Sequence, residues 1–92
     1  MSIHTGVYLN WNRNTAIVVR VKSHLVTYLT MRSGAIELLE TSESKFMRDW
    51  PTRMPSYPVV RALRTYAKCE LTRTDEADKV MRLVLANAKA QR

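Results

Sequence analysis

The fold is decided by the stretch TAIVVRVK at residues 15–22, which is rich in β-branched residues and alternates in polarity. This pattern predicts a half-buried β-strand, because successive side chains of a strand point to opposite faces of the sheet. One face would carry Ile17, Val19 and Val21, and the other would carry Arg20 and Lys22.

Three further strands are predicted around this one. Residues 25–31 follow a tight Ser23-His24 corner, and residues 36–40 follow Ser33-Gly34, where glycine accepts the positive φ of a short hairpin turn. Residues 6–9 form a short fourth strand, joined to the next by the loop at 10–14. Because every connection is short, we expect an antiparallel meander over residues 6–40.

From residue 41 onward the apolar residues recur at helical spacing. A short helix is expected at 42–50, a second at 57–68 with Ser56 as its cap, and a third at 75–90 capped by Thr74. Three prolines in residues 51–58 predict a stiff surface connection. The predicted fold class is α+β: a three- to four-stranded antiparallel sheet in the N-terminal half, with two to three helices from the C-terminal half packed on one side. Residues 1–92 would form one domain.

Composition limits the possible classes of protein. The 92 residues are 46% hydrophobic, which excludes an intrinsically disordered chain and allows a core without a metal or disulfide. The single cysteine, Cys69, excludes an internal disulfide and fits a reducing cytosol. The first residues lack the features of a signal peptide, and no apolar run approaches the roughly 20 residues of a membrane span. We therefore expect a cytoplasmic protein without membrane contact.

The chemistry of catalysis and metal binding is sparse. His4, His24 and Cys69 are at least 20 residues apart in sequence and show no metal-ligand spacing. Glu37 and Glu40 would lie on opposite faces of their strand, which argues against a paired-carboxylate site. We expect no catalytic residues, no metal, no cofactor and no small-molecule substrate, so the chain is not expected to be an enzyme.

The chain is strongly basic, with 15 Lys and Arg against 8 Asp and Glu, a formal charge of +7 and a pI near 10.1. Residues 1–36 contain no acid. In the second helix Arg61, Arg64 and Lys68 follow i, i+3, i+7 spacing and have no acid three or four positions away. They form either a binding surface for a negative partner or the solvated outer face of an ordinary helix.

Arginine and tryptophan give a second indication of a binding surface. Arginine outnumbers lysine ten to five, and its planar group makes bidentate contacts to phosphate and stacks on bases. Trp11 lies in a loop with three asparagines and Arg13. It would serve as a stacking platform or interface anchor, or would fold back over the sheet edge. The candidate partner-binding residues are Arg61, Arg64, Lys68, Arg20, Lys22, Arg32, Trp11 and Arg13.

In size, charge and lack of active-site chemistry, the chain resembles small phage-encoded inhibitors of host nucleic-acid machinery, including anti-CRISPR proteins. The resemblance lies in the general character of the whole chain. It implies steric blocking of a nucleoprotein complex, such as a CRISPR surveillance complex, in the host cytoplasm. Because such complexes hold their target in a positively charged channel, a basic inhibitor would contact guide RNA and acidic protein surfaces rather than mimic DNA.

Two other classes of function remain open. The first is a DNA- or RNA-binding regulator that acts alone, since antiparallel sheets with basic and aromatic residues bind single strands. The second is a small structural or assembly protein that uses the same surface for self-association.

Overall fold

The computed structural model describes residues 3–90, with side chains through residue 88. Nine elements follow one another along this part of the chain. They are β1 (Gly6–Leu9), β2 (Thr15–Lys22), β3 (Leu25–Arg32), β4 (Ala35–Ser42), α1 (Glu43–Asp49), β5 (Thr52–Arg53), α2 (Val59–Lys68), β6 (Thr72–Arg73) and α3 (Asp75–Ala90).

The strands form one six-stranded sheet in the order β5-β1-β2-β3-β4-β6. All neighbours are antiparallel except β4 and β6, which pair in parallel. The α+β fold class and the four-stranded meander are therefore confirmed. The edge strands β5 and β6 were not predicted, because two residues are too few to show an alternation of polarity.

Two tight turns connect the long strands of the meander. Ser23 and His24 have φ values of 51° and 63°, and Ser33 and Gly34 have values of 50° and 78°. Positive φ at both central residues defines the hairpin turn whose twist matches that of the flanking strands. Both turns lie where the sequence predicts them.

Each face of the sheet packs against helices. On one face, Ile17 and Leu29 belong to a core with Leu63 of α2 and Met81 of α3. We call this the α2/α3 face. On the opposite face, Val18 and its neighbours pack against residues of α1, and we call it the α1 face.

The prediction that the helices pack on one side therefore holds for α2 and α3 and is wrong for α1. Helix α1 begins at Glu43, directly after the last residue of β4, so the chain has no room to cross to the α2/α3 face. Its Phe46 is fully buried and packs edge-on against Tyr8 and Tyr28, with ring centroids 5.1 Å away in both pairs. These apolar rings on the α1 face account for its position.

The faces predicted for β2 are wrong for the residues after a bulge in this strand. The pairing of β2 with β3 shifts between Val18 and Arg20, so that Arg20 is opposite Thr27 and Val21 is opposite Val26. An extra residue in one strand reverses the alternation beyond it. Val21 consequently packs on the α1 face, while Arg20 lies on the α2/α3 face. A uniform alternation from Ile17 would place each of these two residues on the other face.

Two of the three helices begin at a side-chain cap, and the cap at Thr74 is one that the sequence predicts. Ser42 Oγ accepts a hydrogen bond from the backbone N–H of Lys45, and Thr74 Oγ1 accepts one from that of Ala77. The predicted cap at Ser56 is wrong. Helix α2 begins at Val59, and its N-cap is Pro58, which makes no side-chain hydrogen bond. The helix starts later than predicted because Tyr57 precedes a proline, and such a residue rarely adopts helical backbone angles.

Candidate nucleic-acid interface

One end of the sheet, which we call the hairpin end, carries the loop at 10–14 and the Ser33-Gly34 turn. Both connections lie there because β1–β2 and β3–β4 are antiparallel hairpins. The C-terminal turn of α2 reaches the same end, since the Tyr66 hydroxyl donates a 2.8 Å hydrogen bond to the carbonyl oxygen of Thr15. The hairpin end therefore brings the β1–β2 loop and the end of α2 together.

The β1–β2 loop is held in one shape by its own hydrogen bonds. The Asn10 side-chain oxygen accepts from the backbone N–H groups of Asn12 and Asn14, both at 2.9 Å. The Arg13 N–H donates to the Asn10 carbonyl at 3.0 Å, and Arg13 has a φ of 62°. These bonds within the loop hold the backbone on both sides of Trp11.

Trp11 is 83% exposed on this loop. It therefore does not fold back over the sheet edge, which was the structural alternative to a binding role. An indole that is exposed on an ordered loop can stack on a planar partner with little loss of conformational entropy. Arg13 is also exposed, two residues further along the same loop.

The basic residues of α2 lie on its solvent side. Arg61, Arg64 and Lys68 are exposed, whereas Leu63 and Tyr66 are buried against the sheet. Among the described side chains, no carboxylate is within 4.0 Å of these three cations. This stripe therefore presents positive charge that no local acid neutralises.

The remaining candidate residues are divided between the two ends of the sheet. Arg32 lies at the hairpin end, where its Nε is 4.0 Å from an Oε2 of Glu37, and both side chains are partly exposed. Arg20 and Lys22 lie near the Ser23-His24 turn, about 20 Å away along the strand. The structure therefore groups Arg32 with Trp11 and Arg13, and separates Arg20 and Lys22 from them.

Other arginines are engaged by acids within the fold. Asp78 accepts a 2.8 Å hydrogen bond from Arg82, four residues further along α3, and lies 3.7 Å from Arg73. Arg48 lies 3.8 Å from Asp49. Arg48, Arg73 and Arg82 are thus paired with acids, whereas Arg13 and the three cations of the α2 stripe are not.

A groove on the α1 face extends the hairpin end beyond the residues that the sequence singled out. It has a volume of about 260 Å³ and is lined by Asn10, Asn14, Tyr28, Arg32 and Trp50, among others. Burial raises the pKa of the Tyr28 phenol, so this group is neutral at physiological pH. Spacing along the chain could not reveal the groove, because its residues come from four separate segments.

Within residues 3–88, no three His, Cys, Asp or Glu side chains lie close enough together to hold a metal ion. None of the helices in the described part is long and apolar enough to cross a membrane. Comparisons with protein-family models, curated proteins and solved structures found no match to this chain.

Proposed function

We propose that this chain is a non-catalytic basic protein that docks on the nucleic acid of a nucleoprotein complex and blocks that complex sterically. The observation that carries the proposal is Trp11, which is 83% exposed on a loop fixed by its own hydrogen bonds. Large exposed aromatic side chains on ordered loops are characteristic of interface anchors.

The surroundings of Trp11 favour a polyanion as the partner. Arg13 follows Trp11 closely, and the α2 stripe of Arg61, Arg64 and Lys68 ends at the same end of the sheet. A base would stack on the indole, while the cations would contact successive phosphates. Phosphate contacts supply most of the affinity of such interfaces and make it depend on salt.

Steric blocking is the activity that this arrangement supports best. A domain of 92 residues with exposed cations near Trp11 can cover a strand that a larger complex needs to expose. This is the mode that the resemblance to phage-encoded inhibitors, including anti-CRISPR proteins, implies. In that setting the protein would act in the host cytoplasm and would contact guide RNA together with acidic protein surfaces.

The test measures binding of a fluorescein-labelled single-stranded RNA by anisotropy at low salt. Trp11→Ala should weaken binding by about 1–3 kcal/mol, and Trp11→Tyr should retain most of the affinity because a phenol also stacks. Leu83→Ala is the matched control, since Leu83 is 61% exposed on α3, away from the hairpin end. All three variants should keep the thermal midpoint of the parent.

Four results would contradict the proposal. Equal binding by Trp11→Ala and the parent would show that Trp11 does not anchor the RNA. Loss of binding in Leu83→Ala would show that the effect is not specific to Trp11, because any exposed apolar side chain would matter. Strong sequence-specific binding to a DNA duplex would favour a regulator that acts alone. A discrete large oligomer on a sizing column would favour an assembly protein.

A further inference from the structure

Part of one edge of the sheet has no neighbouring strand. Strand β6 pairs with β4 only at Ala35 and Ile36, although β4 continues to Ser42. Within residues 3–90, no backbone group pairs with the outer side of β4 beyond Ile36. We call residues 37–41 of β4 the open edge.

The backbone groups of Leu38 and Glu40 point outward at the open edge. The Thr74 N–H donates to the Ile36 carbonyl at 3.3 Å on the outer side of β4, so the backbone groups of Ile36 point outward. Because neighbouring residues of a strand direct these groups to opposite sides, those of Leu38 and Glu40 also point outward, while residues 37, 39 and 41 bond to β3. Leu38 and Glu40 therefore each offer one N–H and one carbonyl oxygen to an added strand.

The helices leave the open edge uncovered. Helix α1 starts after β4 but leads to β5, which pairs with β1 at the opposite edge of the sheet. Helix α3 starts beside β6, and its later turns lie over β2, since Val84 lines a cavity with Val18 and Val19. Both helices therefore run away from β4, and Glu40 is exposed.

The open edge carries negative charge in a protein that is basic overall. Glu40 is exposed on the α2/α3 face, and none of the described cations is within 4.0 Å of its carboxylate. Glu37 lies on the α1 face, and its side chain is 36% exposed at 4.0 Å from Arg32. All eight acids of the sequence except Asp49 lie on β4 or in segments that adjoin β4 or β6: Glu37, Glu40, Glu43, Glu70, Asp75, Glu76 and Asp78. A segment with positive side chains therefore matches this edge better than a nucleic acid does.

A second copy of this chain fits the open edge less well. Pairing of two β4 edges would bring Glu37 and Glu40 of both copies close together, and like charges on neighbouring strands are destabilising. Charged residues on an exposed edge also oppose pairing between identical edges. The edge therefore favours a segment of opposite charge over another copy.

We propose that the open edge binds an extended segment of a partner protein, which adds a strand to the sheet and carries two basic residues three positions apart. Backbone bonds to Leu38 and Glu40 would hold the segment, as in other cases of strand addition. The spacing follows because Glu37 and Glu40 lie on opposite faces of β4, three residues apart, so cations beside both need the same separation. The inference goes beyond the proposed function, because it concerns a protein partner and a surface without the α2 stripe.

The first experiment uses the fluorescein-labelled peptide Thr-Lys-Val-Val-Lys-Thr, which has about the length of an ordinary strand. Binding is followed by anisotropy at about 0.15 M salt, where charges more than about 8 Å away are largely screened. Thr-Lys-Val-Lys-Val-Thr should bind severalfold more weakly, because both lysines lie on one face. Thr-Lys-Pro-Pro-Lys-Thr should not bind, because proline lacks the N–H that pairs with a strand. Absence of binding by the first peptide, or equal binding by either of the others, would overturn the inference.

The second experiment changes the charge of the open edge. Glu40→Lys should weaken binding of the first peptide about tenfold, and Glu40→Gln about threefold, because the first variant adds repulsion to the lost attraction. Asp49→Lys is the matched control, since it makes the same change of charge at an exposed position of α1 away from the open edge. Equal effects of Glu40→Lys and Asp49→Lys would leave only general electrostatics and refute the edge as the site.

Hydrogen exchange shows directly whether a strand is added. With the first peptide bound, the amide hydrogens of Leu38 and Glu40 should exchange more slowly, and those of β5 at the other edge should not change. Slow exchange at Leu38 and Glu40 without peptide, together with a dimer on a sizing column, would assign the edge to a second copy and overturn the inference. Glu40→Lys should bind labelled single-stranded RNA at least as well as the parent, so that failure of this inference and failure of the proposed function are distinguishable. Loss of RNA binding in Glu40→Lys would place the edge in the RNA interface and refute a protein-binding edge.

Discussion

Replacing Arg61 and Arg64 together by glutamine tests whether the α2 stripe contacts phosphates. Both side chains are exposed, and no described carboxylate is near them. If each contacts one phosphate of a single strand, the slope of log K against log salt should become shallower by about 1.4, or about 0.7 per contact. Because exposed side chains without partners contribute little to folding, the free energy of unfolding should change by less than about 0.5 kcal/mol.

The control for this experiment is Arg48→Gln with Arg82→Gln. This pair removes the same amount of charge from exposed helical positions, but each arginine lies beside an aspartate, Asp49 or Asp78. We expect its salt slope for labelled single-stranded RNA, measured by anisotropy, to stay near that of the parent. An unchanged slope in the Arg61 and Arg64 variant, or the same change in the control, would refute phosphate contact by this stripe.

Two further predictions concern the supports of the hairpin end. Tyr66→Phe should lower the free energy of unfolding by about 1 kcal/mol, because it removes the bond to Thr15. Burial raises the pKa of Tyr66, so its contribution to stability is complete below a pH of about 10 and is lost as the pH rises further. Chemical denaturation from pH 8 to 11 should therefore show a smaller decrease in the free energy of unfolding for Tyr66→Phe than for the parent. An equal decrease in the two proteins would be inconsistent with this role. Asn10→Ala should weaken RNA binding severalfold and lower the free energy of unfolding by about 1 kcal/mol, because it removes the side-chain hydrogen bonds that hold the loop around Trp11. Asn12→Ala should have neither effect. Equal RNA affinities of the two variants, measured by anisotropy, would exclude a positioning role for Asn10.

Much of the fold could be predicted from local patterns. The alternation in β2, the glycine turn at Ser33-Gly34 and the cap at Thr74 each specify their element through nearby residues alone. The bulge near Val18 could not be predicted, because it appears only in the pairing with β3. The placement of α1 likewise depends on rings from distant strands that meet at Phe46.

The sequence predicts which charged residues belong to the candidate site but not which residues lie close together in the fold. The spacing of Arg61, Arg64 and Lys68 shows a stripe without nearby acids in sequence, and the structure places no described acid beside it. The sequence leaves the position of Trp11 open, since a loop tryptophan either packs or projects. The groups around Trp50 come from strands and helices far apart in the chain, and only the fold brings them together.

The central claim is that the exposed tryptophan and the unneutralised cations contact an external nucleic acid. Affinity capture from a host lysate tests it most directly, with the parent protein compared with a variant that combines Trp11→Ala, Arg61→Glu and Arg64→Glu. The parent should recover a ribonucleoprotein whose RNA is released by nuclease, and the variant should recover little of it. Equal RNA recovery by the two proteins, or capture by the parent of no nucleic acid at all, would contradict the account.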